Sequence, residues 1–251
     1  MKSWMKGIGL AMMAFVACAA TAQAGDGRMV QDGPDGRRWG SQRDLQLVAN
    51  RCPEVFAAAL GREAGEIEWL SPVADDEWAE YRDAEFLERL GVGDDPEHPL
   101  TDLWPRRGAC WDGLARDRRT GEYLIIEAKA HVSELFGGGC QAGAKSRALI
   151  RKSLSETAAS QGAEFTEEGW MGEAYQTGNR LAHLRFLREV RGVEARLVYV
   201  LFLNDKIAPP EEGRADWEAA MGRIEKDLLK LPEDYPLKKW KTVLFLDAPG
   251  Q

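Results

Sequence analysis

The chain reads as one α/β domain with a mixed central β-sheet flanked by helices. Three observations predict this. Ala195–Leu203 (A-R-L-V-Y-V-L-F-L) is a long apolar run with almost no polar alternation, the pattern of a central strand buried on both faces. Trp111–Ala115 and Tyr123–Ala128 are two further apolar segments around a polar connector, Asp117 to Gly121, whose Thr-Gly is a turn signal; together they read as a β-hairpin. Between the strands lie segments whose apolar residues recur every three to four positions, the spacing of amphipathic helices. At 251 residues the chain could hold one large domain or two small ones. No repeat and no internal linker divides it, so one domain over residues 41–251 is expected.

Residues 1–24 have the form of a secretory signal peptide. Lys2 and Lys6 make a positive start, Ile8 to Ala20 is apolar but short for a bilayer, and Ala22-Gln23-Ala24 is a small-x-small cleavage site. The expectation is a secreted or periplasmic protein with no membrane anchor after leader cleavage. The alternative is a cytoplasmic protein that starts at Met29. Gly25 to Gly40, rich in Gly, Asp and Arg, reads as a disordered lead-in. Loss of the leader removes Cys18 and leaves Cys52, Cys110 and Cys140, an odd number without zinc spacing, so no disulfide framework is expected.

The elements follow in order. Leu45, Val48, Ala49, Val55, Phe56 and Leu60 keep helical spacing, interrupted at Cys52-Pro53. Glu66–Val73 is a first strand. Asp75, Asp76 and Glu77 load the start of a helix that runs to Leu90 and stops at Gly91. Asp94–Gly108 is a proline-rich loop that delivers Arg106 and Arg107 just ahead of Asp112, where they could clamp phosphate. Gly137-Gly138-Gly139 is a hinge. A helix from about Ala142 to Ala159 carries Lys145, Arg147, Arg151 and Lys152, either a track for a nucleic-acid backbone or a solvated face. Trp170–Val190 is a further helix whose Gln176, Asn179, Arg180 and His183 form one polar stripe. Asp216–Leu229 is an amphipathic helix and Lys241–Leu246 a last strand.

Chemistry concentrates where the hairpin's second strand ends. Residues i and i+2 on a strand point the same way, so Glu127 and Lys129 share a face at the end of a buried run. Asp112, on the partner strand, can reach the same place. Buried charges need partners. Two readings satisfy that need: a structural ion pair, or two carboxylates supplying oxygen ligands to Mg²⁺ beside a lysine.

Asp112 followed fifteen residues later by Glu127-Ala128-Lys129, on a hairpin with a helix after it, resembles the PD-(D/E)xK nuclease superfamily. The residue before the acid is Trp111 here rather than proline. The resemblance implies a restriction-endonuclease-like core and hydrolysis of nucleic-acid phosphodiesters, DNA ahead of RNA. It implies Mg²⁺ or Mn²⁺ held by Asp112 and Glu127, with Lys129 assisting hydrolysis. Gln176 joins the catalytic candidates, since a polar helix stripe borders the site in some such families. Arg106, Arg107 and Arg180 are the substrate-binding candidates. A catalytically inactive binding module on the same fold is the alternative.

Other functions recede. A net charge of −8 argues against holding nucleic acid by bulk charge, although local clusters remain open. Gly139 to Ser146 falls one residue short of a phosphate-binding P-loop. Ala144 replaces the needed glycine, and no strand leads directly into the loop. A metal site of His131, His183 and Cys140 has no supporting spacing.

Overall fold

The computed structural model describes residues 27–37, 39–205 and 213–250. The predicted leader and Gly25 lie outside the described residues. The elements are β1 (Arg28–Met29), α1 (Ser41–Arg51), α2 (Pro53–Ala59), β2 (Ile67–Ser71), β3 (Glu80–Tyr81), α3 (Asp83–Arg89) and α4 (Leu100–Leu103). The hairpin follows as β4 (Gly113–Asp117) and β5 (Tyr123–Lys129), then α5 (Ala144–Ser160), α6 (Tyr175–Arg185), β6 (Ala195–Leu203), α7 (Arg214–Gly222) and β7 (Lys241–Asp247).

A mixed sheet of order β2-β4-β5-β6-β7 forms the centre. Strands β2, β4 and β5 are antiparallel neighbours, whereas β5, β6 and β7 run parallel. The sheet therefore changes character at β5, whose two neighbours come from opposite connection types. A tight turn links β4 to β5, while helices α5 and α6 carry the chain across to β6. The turn is built by Asp117, which accepts backbone N–H bonds from Arg119 (2.9 Å) and Thr120 (3.1 Å). Gly121 follows at φ 78, a left-handed conformation that costs glycine little.

Helices cover both faces. Leu124, Ile126, Val198, Val200 and Phe202 point towards Leu45, Val48 and Phe56 of α1 and α2. Ile125, Leu197, Tyr199 and Leu201 point the other way, into a larger core with residues of α3, α5, α6 and α7. This alternation is the period-two geometry of a strand, and burial on both faces explains the apolar runs in β5 and β6. Cys52 breaks the first helix at φ −141, because the residue before a proline avoids helical backbone. Pro53 then starts α2 at the position where its missing N–H costs least.

Three local expectations need correction. Residues 27–37 are not a disordered lead-in. Strand β1 pairs with β3, and Arg28 binds Asp76 at 2.9 Å and Glu77 at 3.0 Å. The acids at 75–77 do not open a long helix. They form a single tight turn, after which β3 and then the short α3 follow; Gly91 does terminate that helix, at φ 74. The helix expected over Trp170–Val190 is broken at Gly172, whose φ −104 and ψ −127 are not helical.

Three residues before the break, the backbone at Gly169 packs closely against the segment after α7. A Cβ at Gly169 would lie 1.9 Å from the Leu228 carbonyl oxygen, so only glycine fits. We predict that Gly169→Ala lowers stability by on the order of 2 kcal/mol or more. Gly222→Ala, at an exposed helical position with nothing within 4 Å of the added atom, should raise it by about 0.5–1 kcal/mol. Thermal melts of the two variants check this pair; equal midpoints would refute the packing described for Gly169.

Candidate active site

The hairpin register sets Gly113 opposite Ile126, so Asp112 lies across from Glu127. Trp111, Leu114 and Ile125 all belong to the larger core, and a Cβ at Gly113 would face Leu45 on the opposite side. By alternation Asp112, Glu127 and Lys129 share the face that α6 covers. One Asp112 carboxylate oxygen accepts the Ala128 N–H at 2.8 Å, which holds the side chain against β5.

Glu127 is 2% exposed. Both of its oxygens are engaged: Lys129 Nζ reaches Oε1 at 2.5 Å, and Arg180 Nε donates to Oε2 at 2.6 Å. Arg180 comes from α6. Its guanidinium also donates to the Cys110 carbonyl at 3.0 Å and lies over the Trp111 ring, 4.8 Å from the centroid. Burial pushes the Glu127 carboxyl up, but Arg180 and Lys129 outweigh it and hold the group below the usual carboxylate range. Burial likewise opposes charge on Lys129, yet Glu127 and Asp112 outweigh it and hold the ammonium above its ordinary value. Among the described residues no cation forms an ion pair with Asp112, and the Lys129 and Arg180 charges only partly offset what raises it. Burial, then the neighbouring Glu127 charge, push its carboxyl up to about 7.

A third carboxylate feels the same field. Glu80 of β3 is buried, and its charge acts on Asp112 as that of Glu127 acts on Glu80. Gln42 of α1 donates to Glu80 at 2.7 Å and Gln31 of the lead-in at 3.4 Å. Burial raises the Glu80 carboxyl, and hydrogen bonds from Gln42 and Cys110 offset part of that shift. Three carboxylates thus share one buried region with two cations, and Asp112 carries the surplus.

The remaining predicted residues are dispersed. Arg180 joins the acids, but as a partner of Glu127 rather than as a free clamp. Gln176 is exposed on the first turn of α6, beside the Gly137 loop. Arg106 and Arg107 are exposed, in a loop whose backbone is held by Asp83, which accepts from the N–H of Arg107 and of Gly108, both at 2.9 Å. Arg147 and Arg151 of α5 both bind Glu167, so that helix is no bare basic track. His183 is buried among Phe86, Trp104 and Trp111, and burial pulls its imidazole down to about 4. The neutral ring's Nδ1 lies 2.9 Å from the Asn179 carbonyl oxygen, so it donates there and serves packing.

Among the described residues, no three His, Cys, Asp or Glu side chains lie close enough together to hold a metal ion. Cys52, Cys110 and Cys140 are free thiols. No helix of the described residues is long and apolar enough to cross a membrane. No family model, no curated protein and no solved structure matches the chain.

Asp112 should make stability depend on pH. Its folded value lies above that of an unfolded aspartate, so the native protein keeps a proton that the unfolded chain releases. Its contribution therefore falls as pH rises from about 4 to about 7, and is flat above. Asp112→Asn keeps the acceptor for Ala128 N–H and removes the charge. We predict a gain over wild type that is small at pH 5 and levels off above pH 7, on the order of 1–3 kcal/mol because Asp112 is partly exposed. Denaturant melts across that range check it; a gain that does not change with pH contradicts the assignment.

Proposed function

We propose that this protein is a metal-dependent phosphodiesterase acting on nucleic acid, with a restriction-endonuclease-like core and Asp112, Glu127 and Lys129 as its working residues. One observation carries the reading. An acid just ahead of β4, an acid on the adjacent antiparallel β5 and a lysine two residues after it meet in one buried patch at the end of the sheet, with more negative charge than the neighbouring cations neutralise.

The donors fit a hard divalent cation. Mg²⁺ or Mn²⁺ takes carboxylate oxygens and keeps water or substrate oxygens for its other positions, so two carboxylates are enough. Asp112 and Glu127 would hold it, and the surplus charge on Asp112 is what such a cation relieves. When bound, the cation supplies Lewis-acid stabilisation of a phosphoryl oxygen and a more acidic water. Lys129, kept charged by its two acidic neighbours, donates hydrogen bonds to water or to a developing oxyanion instead of abstracting a proton. Arg180 orients Glu127 from α6. The leader pattern supports export, to the periplasm or outside the cell.

A second reading has its own observation. Both Glu127 oxygens are already taken by Lys129 and Arg180, the arrangement of a structural ion pair. It corresponds to a module that binds nucleic acid without cleaving it.

Cleavage of mixed DNA and RNA in Mg²⁺ or Mn²⁺ separates the two. Wild type should cut. Asp112→Asn, Glu127→Gln and Lys129→Ala should each lose about a hundredfold or more in rate while melting cooperatively. Lys129→Arg should not restore activity, because a planar guanidinium does not replace a compact ammonium. Folded variants that cut as fast as wild type would remove the activity from this site. A folded wild type that cuts nothing would favour the binding module.

A further inference from the structure

Two sulfur atoms and a carboxylate meet where β1, β3 and the segment ahead of β4 lie side by side. Strand β1 sets Met29 directly opposite Glu80 of β3. On the other edge of β3, Tyr81 and Trp111 are antiparallel neighbours, and the Trp111 N–H donates to the Tyr81 carbonyl at 2.9 Å. Successive side chains alternate, so Arg28, Tyr81 and Trp111 take one face and Met29, Glu80 and Cys110 take the other. The side chains close on one another there. Cys110 Sγ lies 3.5 Å from Met29 Sδ and 3.8 Å from Glu80 Oε2. Glu80 is buried and held by the Gln42 amide at 2.7 Å, whereas Met29 and Cys110 are half-buried, which leaves the sulfurs a way out to solvent.

This donor set is softer than the Asp112 and Glu127 pair. Carboxylates alone suit hard cations, while thiolate and thioether sulfurs select soft ones such as Cu(I). The thioether also separates Cu(I) from Zn²⁺, whose protein ligands are thiolate, imidazole and carboxylate. Metal–sulfur bonds are roughly 2.3 Å long, so one ion bridges sulfurs up to about 4.6 Å apart. The gap between Cys110 and Met29 falls inside that reach. We propose that Met29 and Cys110, with Glu80 as an oxygen donor, form a site for Cu(I), distinct in chemistry from a Mg²⁺ or Mn²⁺ place at Asp112 and Glu127. Without metal, burial and then the Glu80 charge keep Cys110 a thiol, pushed up to about 12. Binding therefore breaks its S–H bond as the Cu–S bond forms, and the proton leaves to water. Copper stays Cu(I), so no electron moves. The site stands whether or not the acids cleave nucleic acid.

Anaerobic titration of Cu(I) into the full chain in competition with bicinchoninate, a coloured Cu(I) chelator, tests this. Wild type should withdraw one equivalent of Cu(I), and excess Mg²⁺ should not release it. Met29→Leu, which nearly conserves side-chain volume, should weaken binding roughly tenfold or more while melting as wild type does. Cys110→Ser should abolish it. Cys18→Ser and Cys52→Ser, which remove thiols away from this face in the sequence, should bind as wild type does. Copper X-ray absorption should show two sulfur neighbours in wild type and one in Met29→Leu. A wild type that takes no Cu(I) from the chelator, a Met29→Leu protein that holds it as tightly as wild type, or loss of the equivalent in Cys18→Ser or Cys52→Ser would overturn the inference.

Discussion

Glu127 is an ionised acid in a place built for apolar side chains, and the arrangement around it follows from that. A buried carboxylate needs cations and hydrogen bonds, because losing one partner of such a pair costs about 3–5 kcal/mol. Lys129 supplies one cation from the same strand, and Arg180 supplies the other from α6. Arg180 is then committed to a position where it also meets the Cys110 carbonyl and the Trp111 ring. One acid therefore ties β5, α6 and the segment leading into β4 to a common point. Asp112 sits on that segment, so the same contacts that satisfy Glu127 also place the second carboxylate.

The electrostatics of the patch follow from counting. Lys129 and Arg180 satisfy Glu127, but Asp112 and Glu80 lie in the same field. Glu80 is stabilised by amide hydrogen bonds from Gln42 and Gln31, which lower the cost of its charge without cancelling it. Among the described residues Asp112 accepts a hydrogen bond from the Ala128 N–H alone, and its carboxyl takes up a proton near neutral pH. Perturbed acids of this kind concentrate where proteins bind cations or move protons. The patch therefore carries a residual negative charge close to the surface.

Much of this was legible in the residues. The apolar run of Ala195–Leu203 announced a central strand, and the break at Cys52-Pro53 fell where proline requires it. The two-residue period of a strand already places Glu127 and Lys129 on one face. Long-range pairing was not legible. Strand β3 is two residues long, and its partner β1 lies some fifty residues upstream, so neither has a local signature. Glu80 was missed with them. The arginines of α5 looked available because Glu167, their partner, follows only after the helix has ended. The polar stripe of α6 was real as periodicity, but helical spacing does not say how deeply each position sits: Arg180 and His183 are inside and Gln176 is outside.

The proposed function requires that Asp112 and Glu127 together offer a place for a divalent cation. Calorimetric titration of Mn²⁺ into wild type and into Asp112→Asn, with no nucleic acid present, addresses it most directly. The account predicts saturable binding to wild type that is lost or much weakened in Asp112→Asn while the variant remains folded. Binding of equal strength to both proteins, or none to wild type, would contradict it.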